Sequence, residues 1–177
     1  MNTATLVYVF DGGSVLMQRK SKGLFGGGKW NAPGGKVESG EQVFHAAARE
    51  LKEETGLEPA ELTCSGKLQF YLGAGEQLDQ SVYVFTCSSF AGKARESREG
   101  KVAWFPKTML PVDEMWEDDR YWLPLLLRNR LFTGGFYFTK GYAKLVKLWL
   151  STDPFFTSQD NLIGKTFAYS VPLPDDH

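Results

Sequence analysis

The stretch Gly35–Leu57, GKVESGEQVFHAAARELKEETGL, constrains this chain more than any other. Ser39 followed three residues on by Gln42 has the form of a capping box, Glu41 puts negative charge at a helix N-terminus, and Gly56 supplies a C-terminal stop. The pattern predicts a helix of about four turns, from about Gly40 to Thr55. Separations of three and four put Glu50, Glu53 and Glu54 on one face of it. Phe44, Ala47, Ala48 and Leu51 make the adjacent apolar face, and Gln42, His45, Arg49 and Lys52 the wet one.

Three carboxylates on one face repel one another at neutral pH, a cost that a helix avoids unless a cation or Arg49 offsets it. Alone, such a cluster reads most simply as a solvated face bridged to lysine or arginine. With Glu41 and the flanking glycines in register, a divalent metal site is the better reading. Oxygen donors select hard ions such as Mg²⁺ or Mn²⁺, and only His45, His177, Cys64 and Cys87 could offer a softer metal anything else.

Length and charge narrow the partners. A chain of 177 residues with 42% hydrophobic content suits one domain with a globular core. A net charge of -1 gives no electrostatic reason to expect a nucleic-acid polymer or a membrane surface, whereas a small anionic substrate fits if bound metal supplies the positive charge. Two cysteines and no signal-like N-terminus point to a reducing cytosol, hence a cytoplasmic location, and no apolar run approaches transmembrane length.

Strand signals surround the helix. Thr3–Phe10 and Ser14–Arg19 flank an Asp11-Gly12-Gly13 turn and read as a hairpin. Gly23–Gly35, rich in glycine with Phe25, Trp30, Asn31 and Pro33 between, reads as a pocket loop without a regular element. Gly23–Lys29 begins like a phosphate-binding P-loop, but Trp30 stands where a serine or threonine must hold Mg²⁺; a second near-match ending at Thr166 has Gln159 in place of its first glycine. Both are rejected. Leu62–Leu72, Gln80–Ser88, Lys101–Phe105, Phe136–Thr139 and Lys144–Leu150 read as strands. Arg120–Arg130 reads as a second helix that buries Tyr121, Leu125, Leu126 and Leu127, with Pro124 tolerated in a first turn. The sum is an α/β (α+β) fold, a mixed sheet sandwiched between helices. Residues 1–150 form its single domain, and 151–177 a C-terminal extension packed on it or trailing from it.

The nine fixed positions of Gly35–Leu57 fit GX5EX7REUXEEXGU, with U a bulky aliphatic residue, and in this they resemble the Nudix hydrolase box. The similarity runs from about Thr5 to about Trp149 and extends to the MutT-type animal enzymes that hydrolyse oxidised purine nucleoside triphosphates. It is carried by Gly28-Lys29-Trp30-Asn31, by Gly34-Gly35-Lys36-Val37, and above all by Met115–Leu127, MWEDDRYWLPLLL. The resemblance implies the Nudix fold, and metal binding by Glu50, Glu53 and Glu54 with the Gly35 carbonyl and a distant acid, best matched by Glu99 with Glu96 as competitor. Glu41 and Arg49 would be structural, and Lys36 would approach a phosphate. It implies attack on phosphorus by a metal-activated water, with Glu50 or Glu54 as base.

Base recognition in the resembled subfamily implies roles for Asn31, Asp118 and Asp119. An asparagine both donates and accepts, and two adjoining carboxylates raise the pKa of one so that it can donate. Alone, Asp118-Asp119 ahead of a helix would read as a solvent-facing N-cap. Phe25, Phe70 and Trp116 match aromatic walls, and Thr5 a pocket floor. Leu72, Ala32 and Pro33 depart from the human-type pattern at the pocket. The expected function is Mg²⁺-dependent hydrolysis of nucleotides such as 8-oxo-dGTP to monophosphate and pyrophosphate by a monomer, with a dimer as alternative. Other readings are hydrolysis of ADP-ribose, nucleotide sugars or dinucleoside polyphosphates, and a non-catalytic nucleotide-sensing module.

Overall fold

The computed structural model describes residues 2–152 and 162–169. The β-branched and aromatic N-terminal run forms β1 (Asn2–Asp11), which turns at Gly12 into β2 (Ser14–Lys20). The chain then runs through β3 (Trp30–Asn31), α1 (Val43–Thr55), β4 (Glu58–Pro59), β5 (Glu61–Leu72), β6 (Gln77–Cys87), β7 (Phe90–Ala91) and β8 (Gly100–Pro106). A single-turn 3-10 helix at Val112–Glu114 leads to α2 (Asp119–Leu127), β9 (Phe132–Phe138), another at Lys140–Tyr142, β10 (Leu145–Ser151) and β11 (Thr166–Ala168). Among the described residues the main sheet has nine strands ordered β10-β9-β5-β6-β1-β2-β3, with β11 added to β5 and β8 to β2. It is mixed: β1 lies parallel to β6 and β5 to β9, and the other pairs are antiparallel.

Side chains alternate across the sheet and build a core on each face. Tyr8, Met17, Leu68, Phe70 and Phe132 meet Trp122, Leu123 and Leu126 of α2 on one face. Val7, Val9, Leu16, Leu62 and Phe85 meet Ala47 and Leu51 of α1 on the other. The expected sandwich of helices about a mixed sheet is therefore the observed one.

The feature that makes room for a site is the parting of β1 from β2. Their pairing is confined to the turn, Phe10 with Val15 and Asp11 with Ser14. Below it the segment Pro33–Val37 enters and satisfies β1: the N–H groups of Thr5 and Val7 bond to the carbonyls of Gly35 and Pro33, and Val37 N–H to that of Thr3. The approach is close enough that a Cβ on Gly34 would lie 1.9 Å from the Thr5 carbonyl oxygen. Only glycine fits there.

Several local expectations are corrected. Helix α1 begins at Val43, and its N-cap Gln42 makes no side-chain capping bond. Glu41 bonds the Glu38 N–H while its carboxylate grips Arg49, so the turn before the helix is organised around an ion pair rather than a capping box. The other end is as expected: Gly56 adopts φ 79° and its N–H bonds the Lys52 carbonyl. In α2 the buried residues are Asp119, Trp122, Leu123 and Leu126, a three-and-four spacing that starts from Asp119; Tyr121, two residues after Asp119, falls off that face and is exposed. Pro124 sits in the second turn on the exposed side, and the helix stops three residues later. The Gly23–Gly35 loop is partly regular, since Arg19 and Gln18 pair with Trp30 and Asn31, and Lys20 and Lys29 close the loop with backbone bonds. Cys64 and Cys87 are buried strand residues and His45 is exposed, as expected.

Part of the C-terminal extension is a strand, β11, and Phe167 stacks on Phe44 of α1 at 4.3 Å while Tyr169 donates to the Phe44 carbonyl. Residues 153–161 and 170–177 of the expected extension, including His177, lie outside the described residues.

Candidate active site

A cavity of about 510 Å³ opens where β1 parts from β2, and it has two chemically different ends. Glu50, Glu54 and Glu99 line one end with Lys20, Lys36, Gly34 and Gly35; Asp118 and Asp119 line the other with Asn31, Phe25, Phe70 and Trp116. Thr5 of β1 sits between them, buried, with its Oγ1 3.4 Å from the Gly35 carbonyl.

At the glutamate end, α1 and the Gly34-Gly35 turn touch. Gly34 N–H donates to Glu54 Oε2 at 3.0 Å, and a Cβ on Gly35 would fall 2.4 Å from Glu50 Cδ. Two cations divide the carboxylates. Arg49 bonds both oxygens of Glu41 at 2.7 and 2.9 Å, Glu50 Oε1 at 2.9 Å, Glu53 Oε2 at 3.2 Å and the Lys36 carbonyl at 3.1 Å. Lys20, at the end of β2, lies 3.4 Å from both Glu54 and Glu99. Arg49 is thus the hub that ties the helix to the turn before it, and Lys20 is a site residue that the sequence pattern did not single out.

Glu53 differs from its neighbours. Its side chain is 59% exposed and it does not line the cavity, so α1 brings two of the three expected glutamates to the site and leaves the third at its margin. Glu99 reaches the cavity from the loop before β8, while its competitor Glu96 is exposed and outside it. Among the described residues no group of three acidic, histidine or cysteine side chains converges as it stands into a metal-holding cluster. Burial raises Glu54 to about 7, with Lys20 and the Gly34 N–H opposing, and burial also raises Glu50 against the pull of Arg49. Glu41 goes the other way, lowered chiefly by its bonds from Arg49.

At the other end the two aspartates are buried. Asp118 and Asp119 are each only 3% exposed, which excludes the solvent-facing N-cap, and the Asp118 side chain makes no capping bond. Trp122 Nε1 donates to Asp118 Oδ2 at 2.8 Å, whereas Asp119 Oδ2 is buried with no hydrogen-bond partner. Burial pushes Asp118 up to about 6; burial and then the charge of Asp118 push Asp119 well above the usual carboxylate range. Two adjoining buried carboxyls favour holding a proton between them, which sets a donor beside an acceptor. Asn31, which lines the cavity, accepts from Ala32 N–H through Oδ1 at 2.9 Å, so its amino group remains as a second donor.

Aromatic rings frame this end. Phe25, 64% exposed at the tip of the glycine-rich loop, lies 5.2 Å from the Trp116 ring, and Lys29 Nζ sits 5.1 Å from the centre of that ring. Gly26, at φ 76°, lets the loop pass Trp116, since a Cβ there would come within 3.0 Å of the indole. Phe70 is buried among Phe136, Phe138 and Tyr142. Leu72, on the same side of β5, packs into the core and does not line the cavity, whereas Ala32 does line it. Trp122 and Tyr142 are further lining residues that sequence reading missed. Trp122 carried a signal, its spacing of four from Asp118; Tyr142 carried none beyond a turn-like Lys-Gly-Tyr.

Comparisons with known proteins agree with this geometry. The NUDIX domain family model matches residues 1–126. The oxidized purine nucleoside triphosphate hydrolase of Danio rerio is 42% identical over 144 residues, covering 81% of this chain and 90% of that protein. The Mus musculus protein of the same name is 41% identical over 135 residues, covering 76% and 85%. The crystal structure of a MutT protein from Bacillus halodurans superposes with a TM-score of 0.77 at 26% identity, covering 87% of this chain and all of that one. With the box residues gathered on α1 and its preceding turn, and with these similarities over most of its length, the chain belongs to the Nudix family.

Proposed function

We propose that this chain is a Mg²⁺-dependent pyrophosphohydrolase that converts oxidised purine nucleoside triphosphates such as 8-oxo-dGTP to monophosphate and pyrophosphate. The observation that carries the reading is the buried Asp118-Asp119 pair, one oxygen bonded by Trp122 and another without a partner, at the far end of the cavity from Glu50 and Glu54. A purine edge with adjoining donor and acceptor groups is matched by such a pair together with the amino group of Asn31. Phe25 and Trp116 would flank the base. The names of the Danio rerio and Mus musculus relatives support the same substrate class.

The donor set suits a hard cation, being all oxygen, and Gly35 leaves beside Glu50 a space that a Cβ would fill. Glu50, Glu53, Glu54 and Glu99 with the Gly35 carbonyl would hold Mg²⁺, with Mn²⁺ as a possible substitute. When bound, the ion supplies positive charge to the phosphates and lowers the pKa of a water. The chain's own contribution is the rest. Arg49 holds Glu50 and Glu53 by their oxygens, and Lys20 and Lys36 offer cationic charge toward a polyphosphate. Glu54, raised by burial and steadied by the Gly34 N–H, is suited to accept a proton; Glu50 is the other candidate base. The substrate is a free nucleotide, and the protein acts in the cytoplasm as a monomer. Among the described residues no helix is long and apolar enough to cross a membrane.

The test is an initial-rate comparison, with and without Mg²⁺, of 8-oxo-dGTP, 2-oxo-dATP, dGTP, dATP and ADP-ribose, with the products identified. The highest kcat/KM on an oxidised triphosphate, with monophosphate and pyrophosphate as products, supports the proposal. A preference for ADP-ribose or for ordinary purines overturns the base-pocket assignment. No turnover of any of them favours the sensing module.

A further inference from the structure

We infer that Tyr142 is a specificity-determining residue, a tethered aromatic wall that closes the base end of the cavity; this rests on the nucleotide reading above. Its backbone is the first sign. Gly141 and Tyr142 are successive residues with left-handed φ, 71° and 60°. A bulky side chain is uncommon there, and such strain persists where surrounding contacts impose it. Those contacts are present: Tyr142 N–H bonds the Thr139 carbonyl, Thr139 N–H bonds that of Lys144, and Lys144 N–H bonds Thr139 Oγ1 at 3.0 Å. The β9–β10 turn so formed throws the Tyr142 ring back over the cavity, where it is a lining residue.

The ring joins two groups that otherwise sit on different elements. Its centroid lies 5.3 Å from Phe25 and 5.8 Å from Trp116, on the loop side, and 6.2 Å from Phe70 on β5. Without it the aromatic rim would be open between them. The hydroxyl is tied to β6: it donates to Asp79 Oδ2 at 2.5 Å and accepts from Gln80 Nε2 at 3.2 Å. A ring fixed at its backbone and at its hydroxyl is a rigid wall, and rigidity is what discrimination between bases differing by one oxygen requires. Tyr142 therefore presses the base toward Asp118 and Asp119 without touching the reacting phosphates.

Tyr142→Gly removes the ring while suiting the left-handed backbone, and so spares the fold; Tyr142→Phe keeps the ring and removes the tether. Steady-state kinetics on 8-oxo-dGTP and dGTP, with calorimetry of the corresponding monophosphates, read the effect. Tyr142→Gly is expected to raise KM about tenfold on the oxidised nucleotide, and to lower the oxidised-to-ordinary preference about as much, with kcat little changed, as loss of an aromatic contact does. Tyr142→Phe should fall between it and the parent. An unchanged KM and preference in Tyr142→Gly, or a fall in kcat at constant KM, overturns the inference. If the parent protein shows no oxidised-purine preference, the substrate reading has failed. The wall then stands or falls on whether Tyr142→Gly weakens the monophosphate that does bind.

Discussion

A protonated Asp119 makes a quantitative claim on stability that does not depend on catalysis. In the folded chain its carboxyl is buried, Oδ2 lacks a partner, and burial followed by the charge of Asp118 raises its pKa well above the usual range, with a backbone hydrogen bond at Trp116 and then Lys29 opposing. Tyr8, whose buried hydroxyl is also unpartnered, adds no positive charge. In the unfolded chain the same carboxyl ionises near pH 4. Between those two pKa values the folded state holds one proton more than the unfolded state, so stability falls as pH rises. The slope is about 1.4 kcal/mol per pH unit for this one group. Asp119→Asn keeps the shape of the protonated acid and cannot ionise. The difference in unfolding free energy, variant minus parent, should therefore grow as pH rises from about 5.5 to about 7.5, by up to about 1.4 kcal/mol per pH unit for as long as the folded carboxyl keeps its proton. Urea titrations of both proteins at pH 5.5, 6.5 and 7.5 measure it. A difference that stays constant across the three pH values would refute a protonated Asp119.

Three further outcomes are expected. Gly35→Ala forces Glu50 from its place, because the new Cβ would overlap its carboxyl carbon; kcat should drop by about 100-fold with the fold retained, as judged by circular dichroism. Trp122→Phe deletes the donor to a buried carboxylate and should cost about 1.5 to 3 kcal/mol in urea unfolding, with the loss larger above pH 6, where Asp118 is ionised. Trp116→Ala should raise KM while kcat and the Mg²⁺ requirement, measured by chelation and readdition, stay as in the parent.

The parts of the fold that were legible in sequence are those with a strong period or a fixed backbone need. The hairpin at Gly12, the Gly56 stop and the helix between them follow from local chemistry alone. The start of α1 is not legible in the same way, because Glu41 satisfies two competing partners, Arg49 and the Glu38 N–H, and a capping-box pattern says nothing of an arginine eight residues away. Ranking tyrosine as core predicts the wrong face for α2, since Tyr121 is exposed. Trp122 faces inward instead because the buried Asp118 needs its N–H. Lys20 and Tyr142 were invisible for a different reason. Each acts through contacts distant in sequence, Lys20 with Glu54 and Glu99 and Tyr142 with Phe25, Phe70 and Asp79, and only the folded sheet brings them together. Glu53 shows the converse limit. A shared helix face does not ensure a shared cavity, since the residue at the face's edge can be drawn aside by Arg49.

The two ends of the cavity hang from helices on opposite faces of one sheet, α1 in one core and α2 in the other, with β1 and the short segment Asn31–Lys36 running between them. The protein thus keeps separate foundations for what it cuts and for what it reads. Changes in the segment 115–127 can be absorbed by the α2 core without disturbing the packing of Ala47 and Leu51 beneath the glutamates. A fold of this plan is free to exchange its choice of base while leaving its hydrolytic end alone, whereas a substitution in β1, at Thr5 or its neighbours, or in the segment Asn31–Lys36, would be felt at both.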